Sequence, residues 1–191
     1  MTFDRYQHHR QSTRLAGWDY SSPGRYFITI WVKAGLCYFG RIVNNKVILS
    51  KYGRIVEQKW LEIENNRKNI KLDEFIIMPN HLHGIIIITH RIKSVNTSQT
   101  DNSNKTRSGR LFRLKANSIS SITGQFKSNC KKKIEKFLQY ESMDTPYFSW
   151  HRNYHDHIIR SENELKNIRQ YILNNPKNWD DDKFNPINFK E

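Results

Sequence analysis

The sequence predicts an α+β fold, a central and mainly antiparallel β-sheet sandwiched by helices, on three observations. Apolar residues are spaced as strand, hairpin, helix, strand, strand, helix, helix along the chain. A run of four isoleucines, Ile85 to Ile88, can only be a strand buried on both faces. At 191 residues the chain holds one well-buried core rather than two.

Residues 1 to 24 are polar and basic and close on the turn signal Ser21-Ser22-Pro23-Gly24. They read as an N-terminal arm in which Arg10 and Arg14 are candidates to lie along phosphates, a solvated tail being the plainer alternative. The core domain is expected from 25 to 179. It opens on RYFITIWVK, Arg25 to Lys33, whose aromatic and branched residues predict the first strand. Asn44-Asn45, set between CYFGRIV and KVIL, is a two-residue hairpin signal. From Ser50 to about Asn66 the apolar period becomes helical, with Ile55, Trp60 and Ile63 among Lys, Glu and Gln. Glu57, Glu62 and Glu64 make this helix less basic than its surroundings, so it is not the expected nucleic-acid face.

Ile70 to Met78 reads as a strand ending at Pro79-Asn80, and Leu82 to Thr89 as the next. From about 90 to 117 the composition turns to Ser, Asn, Thr, Lys and Arg without apolar period, which predicts a flexible basic insertion. Ile119 to Leu138 carries Ile122, Phe126, Cys130 and Ile134 at helical spacing, with Lys127 and Lys131 alongside. Tyr147 to Arg160, YFSWHRNYHDHIIR, is a further strand or an ordered loop. Ser161 and Glu164 form a capping-box pattern for a last helix, which Pro176 stops near Asn175. Residues 180 to 191 are expected as a tail.

The formal net charge is +14, with nine Tyr, ten Phe and five Trp interspersed, the footprint of a polyanion binder. No apolar run approaches the roughly 18 residues of a membrane span, so nucleic acid is the expected partner and a membrane is not. Cys37 and Cys130 lie far apart and in no metal or redox spacing. With no apolar signal segment at the start, a cytoplasmic, nucleoid-associated setting is expected.

The chemistry centres on His81-Leu82-His83. Residues two apart on a strand share a face, so both imidazoles project together while Leu82 points away. Such a pair needs a third ligand and a reacting group, and the last helix can supply both. Tyr171 and Asn175, four residues apart, fall about 40° from each other around a helix with 100° per residue. The rival pair His155-Asp156-His157 has an acidic centre and is not expected as an anchored buried strand. Arg152, Tyr154 and Arg160 are the expected DNA-holding groups of that segment, since arginines and aromatics neutralise and stack single strands.

The segments MPNHLHG, WHRNYHDHIIR and RQYILNNP, in this order and spacing, resemble the HUH family of single-tyrosine transposases, in particular its REP-associated branch. RLAGWDYSSPGRYFITI and CYFGRIV are similar to the opening of those proteins, so the resemblance spans roughly residues 12 to 179. It implies His81, His83 and Asn175 as ligands of Mg²⁺ or Mn²⁺, Tyr171 as the nucleophile, and a supporting place beside the ligands for His157. The implied activity is cleavage and rejoining of single-stranded DNA next to a hairpin through a covalent 5′-phosphotyrosine, by a monomer or a homodimer. The alternatives are a hairpin-binding protein without cleavage and a metal-dependent phosphoester hydrolase without a covalent step.

Overall fold

The computed structural model describes residues 14–92, 115–139 and 147–188. Arg10 and most of the expected basic insertion therefore lie outside the described residues. Strand β1 (Gly24–Trp31) is followed by a short 3-10 turn, then by the hairpin β2 (Gly40–Val43) and β3 (Lys46–Leu49). Helix α1 (Lys51–Asn65), strands β4 (Ile70–Ile77) and β5 (His81–Ile88), helix α2 (Ile119–Leu138), strand β6 (His155–Ile159) and helix α3 (Glu162–Asn174) complete the core. A 3-10 segment, Asn175–Asp181, continues directly from α3.

Local chemistry accounts for these boundaries. Asn44 and Asn45 both take left-handed φ, 49° and 59°, as a two-residue hairpin turn of this twist requires. Each helix begins on a serine whose hydroxyl accepts backbone amides: Ser50 from Tyr52 and Gly53, Ser118 from Ser121, Ser161 from Glu164. Glu164 closes its half of the cap by accepting the amide of Arg160, one residue further back than the capping box predicts. Pro176, which has no amide hydrogen to donate, marks the change to 3-10 geometry.

The sheet order is β4-β5-β1-β6 and every neighbouring pair is antiparallel. Together with α1 and α2 this is the split β-α-β-β-α-β arrangement of ferredoxin-like folds. The alternation of β5 divides the sheet into two chemically different faces. Leu82, Ile86 and Ile88 join Tyr26, Ile28 and Ile30 under α1 and α2, where Trp60 and Phe126 complete the main core. His81, His83 and Ile85 point to the other face, where α3 covers only a smaller cluster of Ile85, Ile159, Leu165 and Ile172.

The register of β4 slips between Leu72 and Phe75, so two residues oppose one on β5. This bulge keeps Leu72 and Phe75 on the core face despite their odd spacing. It also turns Asp73 toward α3, where Arg169 grips the carboxylate at 2.8 and 2.6 Å. β6 corrects the expectation drawn from the acidic centre of His155-Asp156-His157. The segment is an anchored edge strand paired to β1, and Asp156 is buried because Arg14 meets it at 2.6 Å.

Gly84 shows how tightly the central strand is packed. A methyl group there would lie 2.3 Å from Cζ2 of the fully buried Trp60. Gly84→Ala is expected to lower the free energy of unfolding by about 1–3 kcal/mol in urea titrations. Combined with Trp60→Leu it should cost clearly less than the two single changes summed. Strict additivity would show that the Trp60 ring does not limit this position.

Candidate metal centre and tyrosine site

His81 and His83 are both buried on the α3 face of β5. The His81 Nδ1 lies 2.9 Å from Asn80 Oδ1. The Asn80 amide nitrogen donates to the carbonyls of Gly35 and Phe184, at 2.7 and 2.5 Å, which fixes the amide's orientation and leaves Oδ1 as an acceptor. His81 therefore carries its proton on Nδ1, and Nε2 presents a bare lone pair. That atom is buried and makes no hydrogen bond. His83 has Nδ1 2.9 Å from the Thr29 hydroxyl across the β1–β5 pair and Nε2 3.3 Å from the Tyr171 hydroxyl. Holding one ring nitrogen by a hydrogen bond so that the other can ligate is how histidine metal sites are oriented.

Burial pushes the His81 imidazole well below its ordinary value, helped by the neighbouring His83, and pushes His83 down to about 3. Both rings are thus neutral ligands at physiological pH. The third group is Asp182, just past the 3-10 segment, with Oδ2 3.7 Å from His81 Nε2. One ligand atom from each of His81, His83 and Asp182 lies within 4.8 Å of the others, so the three could hold a metal ion. Asn175, buried at the end of α3, also has an Oδ1 without a partner. Two imidazoles, a carboxylate and an orphaned amide oxygen fit a divalent cation.

Tyr171 sits one turn before Asn175, half exposed, with its ring against His83 and Phe27. Burial raises its hydroxyl above the ordinary phenol value, as does the charge of Asp182, while a bond from Asn175 works the other way. The hydroxyl opens into a cleft of about 790 Å³ walled by His83, Trp31, His155, Lys183 and Phe184.

The structure thus brings together His81, His83, Tyr171 and Asn175. The other expected site residues fall elsewhere. Arg14 and Tyr154 meet behind the sheet with Asp156 and Ser120, and Arg14 also lies over the Tyr20 ring. Lys127 donates to the carbonyls of His151 and Arg152, and burial lowers its ammonium to about 8. Lys131 lies over the Tyr147 ring, 3.6 Å from Glu135. Arg152 and Arg160 are exposed. His157 meets Glu164 of α3 at 2.6 Å and so fastens the helix.

Asp182, Asn80 and Thr29 escaped the sequence reading. The run Asp180-Asp181-Asp182 beside Trp179 was the available signal, since two neutral imidazoles need a carboxylate to balance a dication. The segment expected as a tail is packed against the site, with Phe184 and Asn185 buried and the Phe184 ring 4.6 Å from that of His81.

The fold and site define an α+β protein with a candidate metal centre beside a tyrosine. Among solved structures the chain is similar to a REP-associated tyrosine transposase bound to a REP hairpin. The TM-score is 0.50 with 13% identity, covering 82% of this chain and 68% of that one. Among curated proteins it is 38% identical over 176 residues to an uncharacterised protein of Haemophilus influenzae, covering 92% of this chain and 93% of that one. The chain belongs to the family of that Haemophilus protein. No protein-family model matches it. No helix among the described residues is long and apolar enough to cross a membrane.

Two outcomes follow from this geometry. Asn80→Ala, which frees the His81 ring, is expected to weaken Mn²⁺ binding by about 10- to 100-fold in a spectroscopic titration. Without metal, both histidines titrate lower in the folded than in the unfolded chain, so the unfolded state takes up more protons below about pH 6.5. Stability is then fully present above that value and declines as the pH falls. The urea midpoint should drop between pH 7 and 5 in the native protein and change less in His81→Gln/His83→Gln.

Proposed function

We propose that this protein is a metal-dependent single-stranded DNA endonuclease and strand transferase that acts next to a DNA hairpin, with Tyr171 as nucleophile. The observation that carries this reading is the Tyr171 hydroxyl 3.3 Å from Nε2 of His83, at the mouth of an open cleft. The REP hairpin held by the structural neighbour supports the choice of DNA, as does the net charge of +14.

His81, His83, Asp182 and the Asn175 amide oxygen would hold Mg²⁺ or Mn²⁺. When bound, the ion supplies positive charge to polarise the phosphodiester. The chain's own residues do the rest. Tyr171, held by its ring contacts with Phe27 and His83, is aimed into the cleft as an in-line oxygen nucleophile. As its oxygen bonds to phosphorus, the bond to the 3′ oxygen breaks; the tyrosyl proton passes to solvent and the departing 3′ oxygen takes one up. The 5′-phosphotyrosine keeps the energy of the broken bond, so a 3′-hydroxyl can reverse the step and join strands. Both histidines and the tyrosine come from one chain, so a single copy carries the whole set. Arg152 and Arg160 remain exposed for strand phosphates.

The test is a pool of single-stranded hairpin oligonucleotides with randomised flanks, incubated with Mn²⁺ or Mg²⁺ and resolved on a denaturing gel. Wild type is expected to form a covalent adduct on the 5′ end of the cut strand, and Tyr171→Phe none. His81→Ala and His83→Ala should abolish cleavage while hairpin binding persists. An adduct in Tyr171→Phe would sink the nucleophile assignment, and hairpin binding without any adduct in wild type would favour a non-catalytic binder.

A further inference from the structure

Lys183 follows the candidate ligand Asp182 and walls the same cleft as Tyr171, His83 and His155. Its ammonium stands 5.1 Å from the ring centroid of Phe184. That ring is itself buried and packed against His81 and Trp31, at 4.6 and 5.4 Å between centroids. The lysine is thus based on a packed floor although its head reaches solvent. Among the described residues it forms no ion pair. Its charge disfavours protonation of His81, His83 and His155 and favours the ionised form of Asp182, so its field covers the whole site.

A cation beside lone pairs prepared for a dication is electrostatically costly unless an anion joins them. A divalent ion and the ammoniums of Lys183 and Lys33, which lines the same cleft, set against the carboxylate of Asp182, leave three positive charges there. A phosphodiester entering beside Tyr171 supplies negative charge, and more of it gathers on the non-bridging oxygens as phosphorus is attacked. Lysine suits this task as a compact charge with three rotatable donors.

We propose that Lys183 is a catalytic residue whose ammonium binds a non-bridging oxygen of the phosphodiester that Tyr171 attacks. The inference rests on the DNA-cleavage reading above. Lys183 exchanges no proton in the step and acts by charge alone, while the tyrosyl oxygen bonds to phosphorus and the 3′ oxygen departs. The residues just past the 3-10 segment thereby bring two opposite charges to the site, Asp182 toward the candidate ligands and Lys183 toward the phosphate.

The test uses the hairpin oligonucleotide recovered from wild-type adducts, made with either a phosphodiester or an uncharged methylphosphonate at the cleaved linkage. Lys183→Gln is expected to slow adduct formation on the phosphodiester by about 100- to 1000-fold, with Lys183→Arg recovering much of the loss. On the methylphosphonate, which has no anionic oxygen to neutralise, wild type and Lys183→Gln should react at similar rates. A second readout needs no metal: in EDTA, the slope of log affinity against log salt for an oligothymidylate strand should be shallower by about 0.7 in Lys183→Gln, the share of one phosphate contact. Equal rates on the phosphodiester would overturn the lysine assignment and leave the cleavage reading standing. A deficit of the same size on both linkages, or an unchanged salt slope, would also overturn it. Wild type that forms no adduct with any member of the pool would overturn both.

Discussion

The side chain of Asn80 ties together three parts of the chain that are remote in sequence. Its amide nitrogen holds the carbonyl of Gly35 after β1 and that of Phe184 after α3, and its oxygen is thereby left to hold Nδ1 of His81. Buried amides of this kind are costly unless every group is paired, and here each pairing fixes something the site needs. One fixes the turn that leads away from β1, one seats the segment that carries Asp182 and Lys183, and one sets the tautomer of the first histidine. Without Asn80 the imidazole could rotate and the Phe184 backbone would lose a buried partner.

The sheet separates stability from chemistry. On the α1 and α2 face, large apolar side chains interlock around Trp60, down to its contact with Gly84, and the buried Asp156 at the sheet edge is paired with Arg14. On the α3 face, buried histidines and Asn175 displace apolar area, and only a small cluster remains under the helix. Two ion pairs, Arg25 with Glu162 and Arg169 with Asp73, and the hydrogen bond between His157 and Glu164 supplement it. Exposed pairs contribute little energy each, about 0–1 kcal/mol. Their value here is geometric, since contacts from β1, β6 and β4 fix the helix that presents Tyr171.

The basic surface divides in the same way. Arg14 and Lys127 serve structure, one neutralising the buried Asp156 and the other holding two backbone carbonyls. Arg152, Arg160 and Lys183 face outward. Basic residues alike in composition therefore have different tasks, and burial decides which.

Much of the fold was legible because periodicity is a local property. The alternation in HLHGIIII determined that His81 and His83 share a face, Asn44-Asn45 determined the hairpin, and the Ser161-Glu164 pattern determined where the last helix starts. The four-residue spacing of Tyr171 and Asn175 determined that they lie near each other on one helix. The β4 bulge stayed hidden, since Leu72 and Phe75 share a face only because the partner strand lacks a residue there. The anchoring of β6 stayed hidden because Asp156 is tolerable inside only once Arg14, far away in sequence, arrives. Asp182 and Lys183 read as a polar tail, for no local pattern records that Phe184 and Asn80 would seat them over the histidines. The sequence by itself determined the strand that carries the imidazoles and the helix that carries the tyrosine. Only the tertiary structure decided which carboxylate and which lysine meet them, because burial and electrostatic pairing depend on distances between segments that periodicity does not encode.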